Sequence, residues 1–222
     1  MTAPKTTWKA PLTMGLLAFA AFFLEYFSIL VLEHLLLGVD VWHYTPGQRS
    51  VHCLLMAGIW ALVIAGLLLV ARRRGLSLQA AAGQMTAKNR LAALLCLAGC
   101  KVLTLIDWHT LKVLGEARGK TAFAFCAQYL YYFSEVGLVL LIIAFGQKAA
   151  EALLQRESKV PFGGVFLALT WGAFHFVSRG VGLEWWNGFS CMIFSVLSGA
   201  MYLQGKRRPG LSYCLIAVGY LL

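Results

Sequence analysis

Long apolar runs recur along the chain, separated by short polar or basic stretches. Most of these runs reach the roughly 20 residues that an α-helix needs to cross the hydrocarbon layer of a membrane, although the last run is short. The pattern predicts an all-α, polytopic transmembrane bundle of about seven helices, formed by a single domain over residues 1–222. The predicted spans cover approximately residues 12–38, 51–71, 91–114, 121–147, 160–179, 185–204 and 210–222.

Composition agrees with a membrane protein. Hydrophobic residues make up 60% of the chain, charged residues make up 13%, and the mean hydropathy is +0.74. The net charge of +10 could indicate nucleic-acid binding, but the basic residues lie between apolar runs and form no single amphipathic face. We therefore expect the lipid bilayer as a partner and no nucleic acid.

The distribution of Lys and Arg predicts the orientation of the bundle. With a cytoplasmic N-terminus, thirteen of these residues face the inner side and four face the outer side, while Lys101 and Lys112 lie within the third span. Inner-side loops carry the excess of positive charge in membrane proteins. The N-terminus is thus predicted to be cytoplasmic, and the overall pattern fits a bacterial plasma (inner) membrane.

Several ionisable residues fall inside the predicted spans. A charged group at the bilayer centre costs at least about 2.5–3.5 kcal/mol on insertion scales, so such residues usually face the bundle interior. Most of them lie toward the predicted outer half, which indicates one polar cavity that opens outward. They are Glu25, Glu33, His34, His52, Lys101, Asp107, His109, Glu135, His175 and Arg179.

The fourth span carries a polar stripe. Gln128, Tyr132 and Glu135 recur at i, i+4 and i+7, so an amide, a phenol and a carboxylate share one helix face. A buried carboxylate can act as a general base or acid. Alternatively, Glu135 is structural and is held by Arg179, Lys101 or a hydroxyl group.

The fifth span has a similar arrangement. Trp171, His175 and Arg179 are spaced at i, i+4 and i+8, which places the imidazole between an indole and a guanidinium. The functional interpretation makes His175 part of a site. The structural one makes it an interhelical hydrogen-bonding group.

The C-terminal two-fifths of the chain resembles the CPBP family of intramembrane peptidases, which includes CAAX proteases and bacteriocin-processing (Abi) proteins. The stretch WGAFH corresponds to the family's FxxxH motif, and SVLSGAMY followed by QGKRRPGL corresponds to its small-residue and aromatic pattern and turn. Upstream, the segment at Ser134 and Glu135 is the nearest counterpart of the family's Glu-Glu-x-x-x-Arg motif. The resemblance implies that Glu135 and His175 activate a water for peptide hydrolysis in the membrane, either with Glu135 as the base or with a metal.

Two polar elements of the family pattern are replaced in this chain. Ser134 precedes a single Glu, and no Arg follows at the motif position. The His-x-x-x-Asn of the family's last helix falls near Val218 and Leu222. A non-catalytic pseudo-peptidase that binds a membrane peptide, protein or lipid is therefore the alternative to an active enzyme.

Other residues could complete a site. Asp107 and His109, or Glu33 and His34, could supply ligands to a divalent metal such as zinc, although no HExxH or HxxxH spacing holds two ligands on one helix. In the hydrolase hypothesis, Arg179 or Gln128 positions the substrate or an oxyanion. A transporter or proton relay is a third class, but no inverted repeat is visible.

Overall fold

The computed structural model describes residues 7–76, 78, 83–178 and 182–222. This part of the chain forms helices joined by turns and contains no strand, which confirms the predicted all-α class for it. The helices are α1 Lys9–Leu36, α2 Pro46–Arg73, α3 Ala87–Trp108, α4 Lys112–Ala117, α5 Ala122–Leu154, α6 Phe162–Gly172, α7 Trp185–Gln204 and α8 Pro209–Leu221.

Four segments are long and apolar enough to cross a membrane: α1, α2, the segment Ala87–Ala117 that contains α3 and α4, and α5. The helices α6 and α8 are apolar but shorter. The chain therefore has the character of a membrane protein. Its predicted seven-span topology and cytoplasmic N-terminus stay predictions.

Helix α5 is the centre of the bundle. In its most apolar stretch 67% of the residues are buried, against 11% in the segment that contains α3. It packs against α1, α2, α6 and α8, while α3 packs on α7 and α8 at the periphery. Side chains of α5 therefore reach every face of the interior, and α3 presents most of its surface outward.

The predicted third span is interrupted near its end. His109 adopts a left-handed backbone conformation with φ of 51°, and its N–H donates to the carbonyl of Leu105, which ends α3. The chain then restarts as the short helix α4 at Lys112. This break moves Lys112 off the axis of α3.

Helix α1 departs twice from α-helical geometry. A 3₁₀ turn covers Ala21–Phe23, where the indole N–H of Trp60 on α2 donates to the carbonyl of Ala21 at 2.9 Å. A π-helical segment covers Ser28–Leu36. Residues five apart face the same side of a π-helix, and the Ser28 hydroxyl accordingly donates to the Glu33 carboxylate at 2.8 Å.

Glycines bring α5, α6 and α7 into backbone contact. A Cβ added to Gly163 would lie 2.0 Å from the carbonyl oxygen of Ile143 on α5, and one added to Gly199 would lie 2.4 Å from the Cα of Gly164. Only glycine permits such approaches. They hold α6, which carries Trp171, between the central helix and α7.

Candidate ligand-binding cavities and buried carboxylates

Two adjacent polar cavities lie among the helices. The larger has a volume of about 870 Å³ and is bounded by α3, α4, α7 and the residues that follow α6. The smaller has a volume of about 300 Å³ and is lined by residues of α1, α2, α5 and α6. Both are lined by Tyr132, Trp171, His175, Ser178 and Tyr220, so they share a wall.

The predicted site residues are divided between these cavities. Glu135 and Gln128 line the smaller cavity, and Asp107 and His109 line the larger one. The side chains of Asp107 and His109 are exposed, whereas Glu135 is buried. Arg179 lies outside the described residues.

Glu135 is held by two aromatic donors. The indole N–H of Trp171 donates to its Oε1 at 3.2 Å, and the hydroxyl of Tyr220 donates to its Oε2 at 3.0 Å. The residue is only 6% exposed. Each carboxylate oxygen is therefore already engaged by a side chain that packing holds in place.

His175 contacts the same tryptophan through the backbone. Its Nδ1 lies 2.7 Å from the carbonyl oxygen of Trp171. A carbonyl only accepts hydrogen bonds, so Nδ1 carries the proton and donates. The imidazole also packs on the indole, with ring centroids 4.2 Å apart. Trp171 is thus a shared partner of Glu135 and His175.

The polar face predicted on α5 divides into two parts. The amide of Gln128 donates to the Tyr132 hydroxyl at 2.6 Å, and that hydroxyl donates to Glu116 of α4 at 2.7 Å. Lys120 donates to both Glu116 and Gln128. Gln128 and Tyr132 therefore belong to a network around Glu116, and Glu135 belongs to one around Trp171.

Lys112 is a residue of the site that sequence reasoning treated only as part of a span. Its side chain is buried, and its Nζ lies 3.9 Å from the ring centroid of Tyr220 and 4.3 Å from that of Tyr132. Such distances are typical of cation–π contacts. A lysine within an apolar segment was the available signal, because it requires an interior partner.

The aromatic and amide groups of α7 complete the larger cavity. The indole N–H of Trp186 donates to Asp107. The Asn187 amide donates to the carbonyl of His175 at 2.9 Å and to Glu184 at 3.0 Å. Among the described residues, no group of three or more His, Cys, Asp or Glu side chains is placed to hold a metal ion. The zinc hypothesis therefore gains no support from this part of the chain.

A second buried cluster lies between α1 and α2. His52 is enclosed by two carboxylates, with Nδ1 2.8 Å from Glu33 Oε1 and Nε2 3.2 Å from Glu25 Oε1. When both carboxylates are ionised, both ring nitrogens donate and the imidazole is positively charged. Tyr131 of α5 donates to Glu25 at 2.9 Å, which links this cluster to the wall of the smaller cavity.

The loop between α1 and α2 adds further contacts to that cluster. The Tyr44 hydroxyl donates to Glu33 at 2.6 Å, and its burial together with the adjacent carboxylate raises the pKa of the phenol above its ordinary value. In the same loop, the hydrogen bond with His43 lowers the pKa of Asp40. Glu33 thus has hydrogen-bond donors from Ser28, Tyr44 and His52.

No protein-family model matches this chain, and neither a curated protein nor a solved structure matches it. The resemblance to the CPBP family therefore depends on the motif residues. Two residues of the SVLSGAMY motif have a structural role: Gly199 allows α7 to touch α6, and Tyr202 is fully buried.

Proposed function

We propose that this chain is a multi-pass membrane protein of CPBP-like fold that binds a membrane-derived ligand in its two cavities without cleaving it. The observation that carries the proposal is the state of Glu135. Both of its oxygens accept hydrogen bonds from fixed aromatic donors at the wall of the smaller cavity. The polar cavities supply the binding site, with volumes in and around the range of about 300–1,000 Å³ typical of small-molecule sites.

The residues beside Glu135 favour binding over hydrolysis. Ser134 occupies the place of a second Glu in the family motif, and its hydroxyl donates to the carbonyl of Ala57 on α2 at 3.2 Å. It therefore connects two helices and contributes no second carboxylate to the cavity. A general base must also reach the proton that it removes, and Glu135 is only 6% exposed and is held by two fixed donors.

The proposal includes a location and an orientation. Seven spans, a cytoplasmic N-terminus and a bacterial plasma membrane follow from the apolar runs and from the excess of Lys and Arg in the predicted inner loops. The four long apolar helices support a membrane location.

An intramembrane peptidase is the second candidate, and Trp171 is the observation that favours it. This residue contacts Glu135 through its indole and His175 through its carbonyl, so the two residues are positioned by one group at one cavity. In that mechanism Glu135 removes a proton from water and His175 binds or polarises the substrate.

A matched pair of cysteine substitutions tests the binding proposal. Cys191 lines the larger cavity, whereas Cys214 on α8 is exposed. Native mass spectrometry of protein extracted from membranes should show a bound ligand in the wild type. Cys191→Phe should remove it by filling the cavity, and Cys214→Phe should retain it. A ligand that survives in both variants, or no ligand in the wild type, contradicts the proposal.

Glu135→Gln separates binding from hydrolysis. The substitution preserves size and removes the charge, so the folded protein should bind its ligand with altered affinity. Wild type and variant, each reconstituted with single-span reporter peptides, should give identical fragment profiles by mass spectrometry. A fragment that forms only with Glu135 would establish the peptidase and eliminate the non-catalytic proposal.

A further inference from the structure

Lys112 presents an ammonium group to the larger cavity with unused hydrogen-bonding capacity. The residue is only 6% exposed and lines that cavity. The faces of Tyr132 and Tyr220 flank its Nζ, but a lysine has three N–H donors. Among residues 7–76, 78, 83–178 and 182–222, no oxygen accepts a hydrogen bond from this group. A buried charge without an acceptor is costly, so an anion that enters the cavity gains a strong partner.

The acidic groups of the same cavity are already engaged. Asp107 accepts from the Trp186 indole, and Glu184 accepts from the Asn187 amide. Glu135 accepts a hydrogen bond from the hydroxyl of Tyr220. Lys112 is thus a buried cation in the lining of this cavity whose N–H groups have no acceptor among the described residues, and a negatively charged oxygen of a ligand would pair with it.

Apolar residues of α3 and α7 also line the cavity. Leu103 and Ile106 line the cavity from α3, and Phe194 lines it from α7. Ile106 is 48% exposed and Trp185 at the rim is 62% exposed. Exposed tryptophans of membrane proteins favour the headgroup level of the bilayer, and α3 is the least buried of the four long segments. An amphiphile could thus enter from the bilayer.

We infer that the larger cavity binds a phosphate-bearing lipid, with the phosphate paired to Lys112 and an acyl chain against Leu103, Ile106 and Phe194. Phosphate is the anion that membrane amphiphiles commonly carry, and a lysine binds it as a point charge. This inference rests on the proposed binding function and specifies the chemical class of the ligand.

The test compares two lipids with identical chains on the purified full chain. Dioleoyl phosphatidic acid carries a phosphate, and dioleoyl glycerol does not. Titration followed by native mass spectrometry in a nonionic detergent should give a Kd for phosphatidic acid lower by about tenfold or more, since a buried charge pair contributes most of the difference. Equal affinities would overturn the inference without any variant being made.

Two lysine variants locate the site. Lys112→Gln should weaken phosphatidic acid binding by about tenfold or more. Lys101→Gln is the matched control, because its Nζ is also buried without a partner among the described residues but does not line the cavity. Its affinity should stay within about twofold of the wild type. Unchanged binding in Lys112→Gln, or an equal loss in both variants, contradicts the assignment.

Inorganic phosphate distinguishes the source of the anion. Millimolar phosphate should leave lipid binding nearly unchanged, because the acyl chain contributes much of the affinity. Full displacement by free phosphate would overturn the lipid assignment. A Glu135-dependent cleavage product would instead overturn the proposed function while leaving the measured Lys112 site intact, so the two failures are distinguishable.

Discussion

The α1–α2 cluster and the Glu135 site both bury carboxylates, but they balance the charge in different ways. His52 touches Glu25 and Glu33 directly, and its own side chain is inaccessible to solvent. Glu135 instead accepts from two uncharged aromatic groups, and Lys112 packs on the ring of one of them, Tyr220.

This difference separates a structural cluster from a binding site. Glu33 lines neither cavity, and its oxygens have donors from three side chains, so this carboxylate is fully satisfied without a ligand, whereas Glu25 of the same cluster lines the smaller cavity. Around Glu135, Tyr220 contacts both the carboxylate and Lys112, and cavity space lies beside them. A site in which a buried cation adjoins an open cavity is suited to bind a ligand.

The largest effect is expected when the imidazole is removed from the α1–α2 cluster. His52→Ala would leave the buried Glu33 and the partly buried Glu25 without their shared cation, so we expect a loss of about 3–5 kcal/mol in the free energy of unfolding. His34→Ala is the matched control, because His34 is exposed and bonds only the nearby Val39 carbonyl among the described residues. Denaturant unfolding in detergent micelles measures both. Equal stability of the two variants would show that the cluster is not structural.

The second largest effect is expected from disturbing the close backbone packing that positions α6 beside Glu135. Gly163→Ala would place a methyl group against the Ile143 carbonyl and push α6, with Trp171, away from α5. We expect a loss of about 3 kcal/mol together with weaker ligand binding.

Gly66→Ala provides the control for that substitution. Gly66 lies on α2, and an added Cβ there meets no atom within 4 Å. Its stability should equal or slightly exceed that of the wild type, because Ala is the better helix former. If Gly163→Ala changes neither stability nor ligand binding, the separation of α5 and α6 does not determine the site.

The smallest effect on stability is expected at the edge of the α1–α2 cluster, at Tyr44. Tyr44→Phe removes one of the donors to Glu33 and should cost about 1 kcal/mol. The wild-type phenol has a raised pKa in the folded protein, so its stabilising effect is present below about pH 10 and is lost as the pH rises further. The stability difference between wild type and Tyr44→Phe should be constant up to about pH 9 and should shrink as the pH rises from about 10 to 11. A constant difference over that range would exclude this linkage.

Much of the helix placement was predictable, because long apolar runs mark the segments that can form membrane-length helices. The runs that gave the predicted spans at 51–71 and 185–204 correspond closely to α2 and α7. The break at His109 was not predictable, since a left-handed residue at that point has no strong signature in LTLIDWHTLKV. That break is what turns Lys112 toward the cavity.

The site itself was predictable only in part. Helical spacing indicated a polar face at Glu135 on the fourth span and another at His175 on the fifth, and both residues line the smaller cavity. Their common partner Trp171 was named, but the donation from Tyr220 depends on how α8 packs against α5. Contacts between helices distant in sequence depend on packing, and the residue pattern along one helix does not reveal them.

The π-helical segment of α1 should allow this helix to tolerate the deletion of one residue. Ser28 and Glu33 share a face because they are five residues apart in a π-helix, and residues four apart share a face in an α-helix. Loss of one residue between them would regularise the segment and retain the serine–glutamate pair. Related chains that differ by one residue here could therefore keep the buried carboxylate while the outer end of α1 takes a new rotation.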